Sequence, residues 1–143
     1  MKKVSKKGIK GIAKSTLFLI LEISKSSYPN EFSGLLKEKD GIINEVILIP
    51  GTYSSTKGAL MNFYNLPIGI RTIGTVHSHP SRIYAPSDTD LVLFRKKGSV
   101  HIITSYPYDT RSWQSYNSNG EEITISVIDI EFDEPEYRDD KEW

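Results

Sequence analysis

The chain has 143 residues and no cysteine. That length suffices for one domain with its own core, and the missing thiols exclude a disulfide framework, a thiolate metal site and a cysteine nucleophile. The formal net charge is zero, but it is unevenly placed: Lys2, Lys3, Lys6, Lys7, Lys10 and Lys14 open the chain without an acid, and the end is acidic from Asp129 to Glu142. A basic arm can meet nucleic acid or a membrane surface. No RNA-binding motif or interleaved basic and aromatic pattern accompanies it, so both ends read as solvated leader and tail. A domain over residues 1–132 is expected, followed by an acidic tail over 133–143. The apolar run Leu17–Leu21 is short, is interrupted by Glu22 and lacks a small-residue cleavage site, so it is not a signal peptide, and it is too short to span a bilayer. These features predict a cytoplasmic protein without nucleic-acid or membrane partners.

Taken in order, Ile9 to Ser26 reads as an amphipathic helix, with Ile12, Thr16, Leu19 and Ile23 at helical spacing and Phe18 and Leu21 broadening the apolar side. Pro29 ends it. Glu31 to Glu38 and Ile42 to Ile49 read as strands around a turn at Lys39-Asp40-Gly41, where Asp-Gly supplies the positive φ of a tight hairpin. Leu60 to Leu66 reads as a further strand and Pro67 to Gly69 as a turn. Arg71 to His77 is apolar enough for a buried strand, followed by a loop from Pro80 to Pro86. Ser87 to Lys97 reads as a helix, with Arg95, Lys96 and Lys97 suited to the negative end of its dipole and Gly98 to its C′ position. Ser99 to Ser105 reads as a strand. Ser112 to Tyr116 and Ile123 to Ile130 read as a hairpin around Asn119-Gly120, with Ile123, Ile125 and Val127 on one face. This order predicts an α+β sandwich: one mixed sheet with helices packed on it.

The chemistry concentrates between Gly74 and Asp90. His77 and His79 stand at i and i+2, so an extended backbone aims both imidazoles to one side and Ser78 away. A third ligand must come from elsewhere; Asp88 and Asp90 are both acidic, and Asp90, at the start of the next helix, is well placed to fold back. Two histidines and a carboxylate leave a fourth position for water, the arrangement of a hydrolytic zinc.

His-Ser-His-Pro, six residues, then Ser-x-x-Asp resembles the JAMM motif of the MPN+ metalloprotease family. The family's upstream glutamate has its counterpart in Glu31-Phe32-Ser33-Gly34-Leu35-Leu36, and the resemblance runs from Ile9 to Phe132. It implies a curved mixed sheet flanked by helices, the cytidine-deaminase-like MPN fold. It also implies His77, His79 and Asp90 as ligands of one zinc ion, with water as the fourth. Glu31 would take the proton of the attacking water, and Ser87 would help stabilise the tetrahedral intermediate. The implied activity is deubiquitinase-like: peptide or isopeptide cleavage after the C-terminal tail of a ubiquitin-like protein. The chain resembles small prokaryotic members that process modifiers or sulfur carriers. Ser33 stands where the family often has cysteine, at a position that is not catalytic.

Other readings of the same residues stand beside these. Ser87-Asp88-Thr89-Asp90 is also a helix N-cap, and a Ser87 hydroxyl spent on capping is expected to be lost to an oxyanion; catalysis is expected to claim it. His101 reads as structural, Trp113 and Tyr116 as hairpin packing, and Tyr106-Pro107-Tyr108 as loop. The substrate tail is expected to add as a strand along a sheet edge near residues 80–86. An inactive scaffold on the same fold and a zinc hydrolase of small amides are the alternative functions. Oligomeric state is left open, a homodimer included.

Overall fold

The computed structural model describes residues 8–49 and 71–131. The expected strand at 60–66, the turn at 67–69, the first lysines of the basic arm and the acidic tail over 133–143 lie outside these residues.

The first departure from expectation comes at once. Gly11–Ala13 form a buried strand, β1, and the helix α1 spans Lys14–Ser27. Gly8 and Gly11 are poor helix formers. A Cβ on Gly11 would collide with the Ile128 side chain and the Ser126 carbonyl, so β1 can lie close against the strand that carries them. The buried face of α1 is also rotated from the expected one. It carries Thr16, Leu17, Ile20, Leu21 and Ser24, while Phe18 and Leu19 are 44% and 51% exposed. Ser24 tolerates burial because its hydroxyl donates to the Ile20 carbonyl at 2.8 Å and meets Thr104 Oγ1 at 2.8 Å.

β2 (Ser33–Lys39) and β3 (Ile42–Leu48) form the expected hairpin. Asp40 and Gly41 take φ of 55° and 83°, the two positive values of a tight hairpin turn. After residue 70 come β4 (Gly74–His79), helix α2 (Asp88–Lys96), β5 (Val100–Ser105), β6 (Trp113–Tyr116), β7 (Glu122–Ile123) and β8 (Ser126–Ile128). The strands form one mixed sheet in the order β7-β6-β5-β4-β2-β3-β1-β8. β7 and β8 are its opposite edges, yet only Thr124 and Ile125 join them. Three chain steps reach at most about 11 Å, so the sheet curls until its edges nearly meet. The expected final strand, 123–130, is therefore split: β7 pairs with β6, and β8 crosses to pair with β1. Ile125 is buried in the turn between them, and Val127 is 46% exposed.

Alternation along the strands assigns the helices to opposite faces. Leu36, Val76 and Ile102 pack with Leu17, Ile20 and Leu21 of α1. Their neighbours Leu35 and Ile103 pack with Leu93 and Phe94 of α2. His77 and His79 follow the odd-numbered set and face α2; Ser78 faces the α1 side. The parallel β4–β5 pair brings Gly74 so close to the Val100 carbonyl that no Cβ fits there, which seats the histidine strand against β5.

Candidate metal centre

β4 runs to His79 rather than stopping at His77, so both histidines lie on one extended segment and share a face. α2 starts nine residues later and carries Asp90 in its first turn. The structure places Asp90, 3% exposed, against both imidazoles, and leaves Asp88 exposed to solvent. Asp90 Oδ1 lies 3.1 Å from His77 Nε2 and Oδ2 lies 3.4 Å from His79 Nε2. The two Nε2 atoms are 3.2 Å apart.

These spacings test whether an ion fits. A tetrahedral ion bonded to nitrogen at about 2.0–2.1 Å holds its ligands about 3.3 Å apart. All three separations fall at that edge length, although the two carboxylate distances use different oxygens. The ring is also oriented for a metal: His79 Nδ1 lies 3.0 Å from the Ile83 carbonyl, so Nδ1 keeps a proton, and loss of the Nε2 proton to an incoming ion would free that lone pair. His77, His79 and Asp90 thus form a site that can hold one metal ion.

Electrostatics favour an anionic Asp90. Burial alone would raise its pKa, but hydrogen bonds from His77 and His79 and from the Ser87 backbone outweigh it and hold the carboxyl well below the usual range. His79 goes the other way: burial would lower it, and Asp90 and the Ile83 carbonyl raise it. Glu31 is half-buried beside this cluster. Desolvation pushes its carboxyl up, against the pull of His77 and His79. Ser33 pairs with His77 in the antiparallel β2–β4 ladder, so continuing the register brings Glu31 level with His79.

Ser87 corrects a physical assumption. Its Oγ accepts the Asp90 N–H at 3.1 Å, and its own N–H donates to Asp90 Oδ2 at 2.9 Å. This is a complete capping box. Capping uses Oγ as an acceptor, and a hydroxyl keeps its O–H as a donor. Cap and oxyanion donor therefore do not compete for the same atom. Asp90 also does two things at once, facing the imidazoles and closing the cap.

The loop over residues 80–86 is braced from several sides. Tyr108 is buried and donates its hydroxyl to the His79 carbonyl at 2.9 Å. Tyr106 N donates to the Ser81 carbonyl at 2.8 Å, and Tyr116 OH to the Tyr84 carbonyl at 2.6 Å. Sequence reasoning missed these tyrosines as supports of the site. Their signal is tertiary: nothing local to Tyr106-Pro107-Tyr108 says that the turn folds over His79. β4 is paired on both sides, by β2 and β5, and among the described strands the free edges are β7 and β8.

His101 is structural, as read. Its Nε2 donates to the Gly98 carbonyl at 3.0 Å, which leaves Nδ1 to accept from Thr75 Oγ1 at 2.7 Å. Its ring stacks on Phe94 at 4.3 Å. Burial drives its pKa down to about 4. The unfolded chain takes up a proton near pH 6.5 that the fold refuses, so the neutral-imidazole contribution is complete above pH 6.5 and is lost as pH falls towards 4. The expected loss is roughly 3 kcal/mol. Ring 15N NMR of the metal-free protein is expected to show His101 neutral at pH 5.5; a titration near 6.5 would contradict the assignment.

The profile of prokaryotic homologues of the JAB domain matches residues 14–116. The chain belongs to the JAB family of JAMM/MPN proteins. This JAB protein is 35% identical over 136 residues to a probable metalloprotease of Haloferax volcanii, covering 88% of the chain and 84% of that relative. It superposes on a JAB1/MPN domain protein of Archaeoglobus fulgidus with a TM-score of 0.68 at 41% identity, over 83% of the chain and 99% of the relative. A structure solved for the JAMM metalloprotease-like zinc site in the proteasome and signalosome gives a TM-score of 0.68 at 38% identity, over 85% and 99% of the two chains. The curled mixed sheet with its helices is the JAB1/MPN fold, and the family is one of metalloproteases. Among the described residues, no helix is long and apolar enough to cross a membrane.

Proposed function

We propose that this JAB protein is a zinc-dependent metallopeptidase that cuts the peptide or isopeptide bond after the C-terminal tail of a ubiquitin-like protein. The observation that carries the reading is the convergence of His77, His79 and Asp90 at tetrahedral edge distances, with the half-buried Glu31 beside them. When bound, zinc in this ligand set supplies Lewis acidity and makes water acidic at neutral pH. Glu31 accepts the proton of the attacking water and returns it to the leaving amine. Ser87 keeps its cap and donates its O–H to the developing oxyanion. Glu31 also lines a groove of about 530 Å³ between the end of α1 and β3, with Ile23, Asn30, Phe32 and Leu48 among its walls. An extended tail laid in that groove meets the base without adding to a sheet edge. The ubiquitin-like substrate class follows from the family resemblance of the motif.

The test is a ubiquitin-like protein fused through its tail to a reporter. Cleavage at the junction that is lost on chelation and restored by zinc is expected. A zinc-loaded protein that hydrolyses short amides but never the fusion would indicate the small-amide hydrolase. A folded protein that cannot retain stoichiometric zinc at neutral pH would indicate the scaffold.

A further inference from the structure

We propose that Ser78, the residue between His77 and His79, is a positioning residue that holds Glu31 at the site through the backbone of Phe32. The inference rests on the reading of Glu31 as the base. Ser78 is completely buried and faces the α1 side of the sheet, so it touches neither substrate nor the imidazole face. It engages Phe32 twice: Ser78 N donates to the Phe32 carbonyl at 3.0 Å, and Phe32 N donates to Ser78 Oγ at 2.9 Å.

The second bond departs from a regular ladder. A hydrogen-bonded antiparallel pair exchanges two backbone bonds, and here a side-chain oxygen replaces the carbonyl of residue 78. β2 leaves the ladder at this point: its first paired residue is Ser33, opposite His77. Glu31 is therefore one residue beyond a backbone position tied to the strand that carries both histidines. Phe32 is itself 4% exposed, so without Oγ its N–H would be buried and unpaired. Loss of Oγ is expected to move the peptide between residues 31 and 32, and the Glu31 carboxylate with it. A base must sit within hydrogen-bond reach of its proton, and a shift of about 1 Å can cost about 100-fold.

Ser78→Ala is expected to lower kcat about 10- to 100-fold with KM and zinc affinity nearly unchanged, and Ser78→Thr, which keeps the hydroxyl, to restore most of it. Two readouts on the zinc-free protein do not depend on activity. In Ser78→Ala the Phe32 amide exchanges faster and the 13C signal of the Glu31 carboxyl shifts; in Ser78→Thr both stay near wild type. Ser78→Cys, which keeps the shape but is a poor acceptor, gives the same readouts if the alanine variant is too unstable to purify. Faster Phe32 exchange with an unmoved Glu31 signal and intact kcat would make Ser78 merely structural and overturn the proposal. So would a loss of kcat matched by a loss of zinc affinity, because Ser78 would then act through the histidines. If the wild-type protein cleaves nothing, the peptidase reading fails, and the Glu31 signal still decides whether Ser78 positions that carboxyl.

Discussion

Glu31→Gln is expected to lower kcat by about two to four orders of magnitude while leaving zinc affinity and thermal stability close to wild type. Glutamine keeps the size of the side chain and loses the ability to accept a proton. Glu31 is not one of the three residues whose ligand atoms converge, so the metal site stays assembled and the loss falls on proton transfer. The pH dependence gives an independent check. Burial raises the Glu31 carboxyl above its ordinary value of 4.5. With zinc bound the charge of the ion opposes that rise, and a protonated carboxyl cannot act as base, so kcat/KM falls with acid through a limb that belongs to Glu31. In the glutamine variant this limb disappears from the residual activity. Cleavage by Glu31→Gln at the wild-type rate would remove Glu31 from the mechanism.

Local signals served the sequence reading best. The Asp40-Gly41 turn and the Ser87 cap were legible because their determinants lie within three or four residues of one another. The pairing of two histidines by i, i+2 spacing was legible for the same reason. Whatever depended on distant strands was not. β1 and β8 are three-residue strands whose partners lie far along the chain, so periodicity absorbed β1 into the helix and β8 into a hairpin. The face of α1 was misread in part because Ser24 is buried and polar, and its contact with Thr104 on β5 lies eighty residues away in the chain. That β4 is paired on both sides, by β2 and β5, rests on strand order, which no local pattern encodes.

Asp90→Ala is expected to do double damage, and Ser87 variants separate its parts. Asp90 offers one oxygen towards each imidazole and also accepts the Ser87 backbone N–H. Its removal should weaken zinc binding by more than the roughly 10–100-fold that follows loss of an outer hydrogen-bond partner of a metal ligand. It should also cost about 1 kcal/mol through the broken cap, measured by calorimetry on the zinc-free protein. Ser87→Ala breaks the cap from the other side and leaves the three converging groups in place, so zinc affinity should hold while stability falls by about 0.5–2 kcal/mol. Ser87→Gly is the sharper instrument, because glycine at an N-cap costs only a few tenths of a kcal/mol yet lacks the hydroxyl altogether. If Ser87 donates to the oxyanion, Ser87→Gly keeps its melting temperature and its zinc and still loses about 10²–10³ in kcat. Should Ser87→Gly turn over like wild type while Ser87→Ala merely melts earlier, the hydroxyl is a cap alone, and the oxyanion must be stabilised without it.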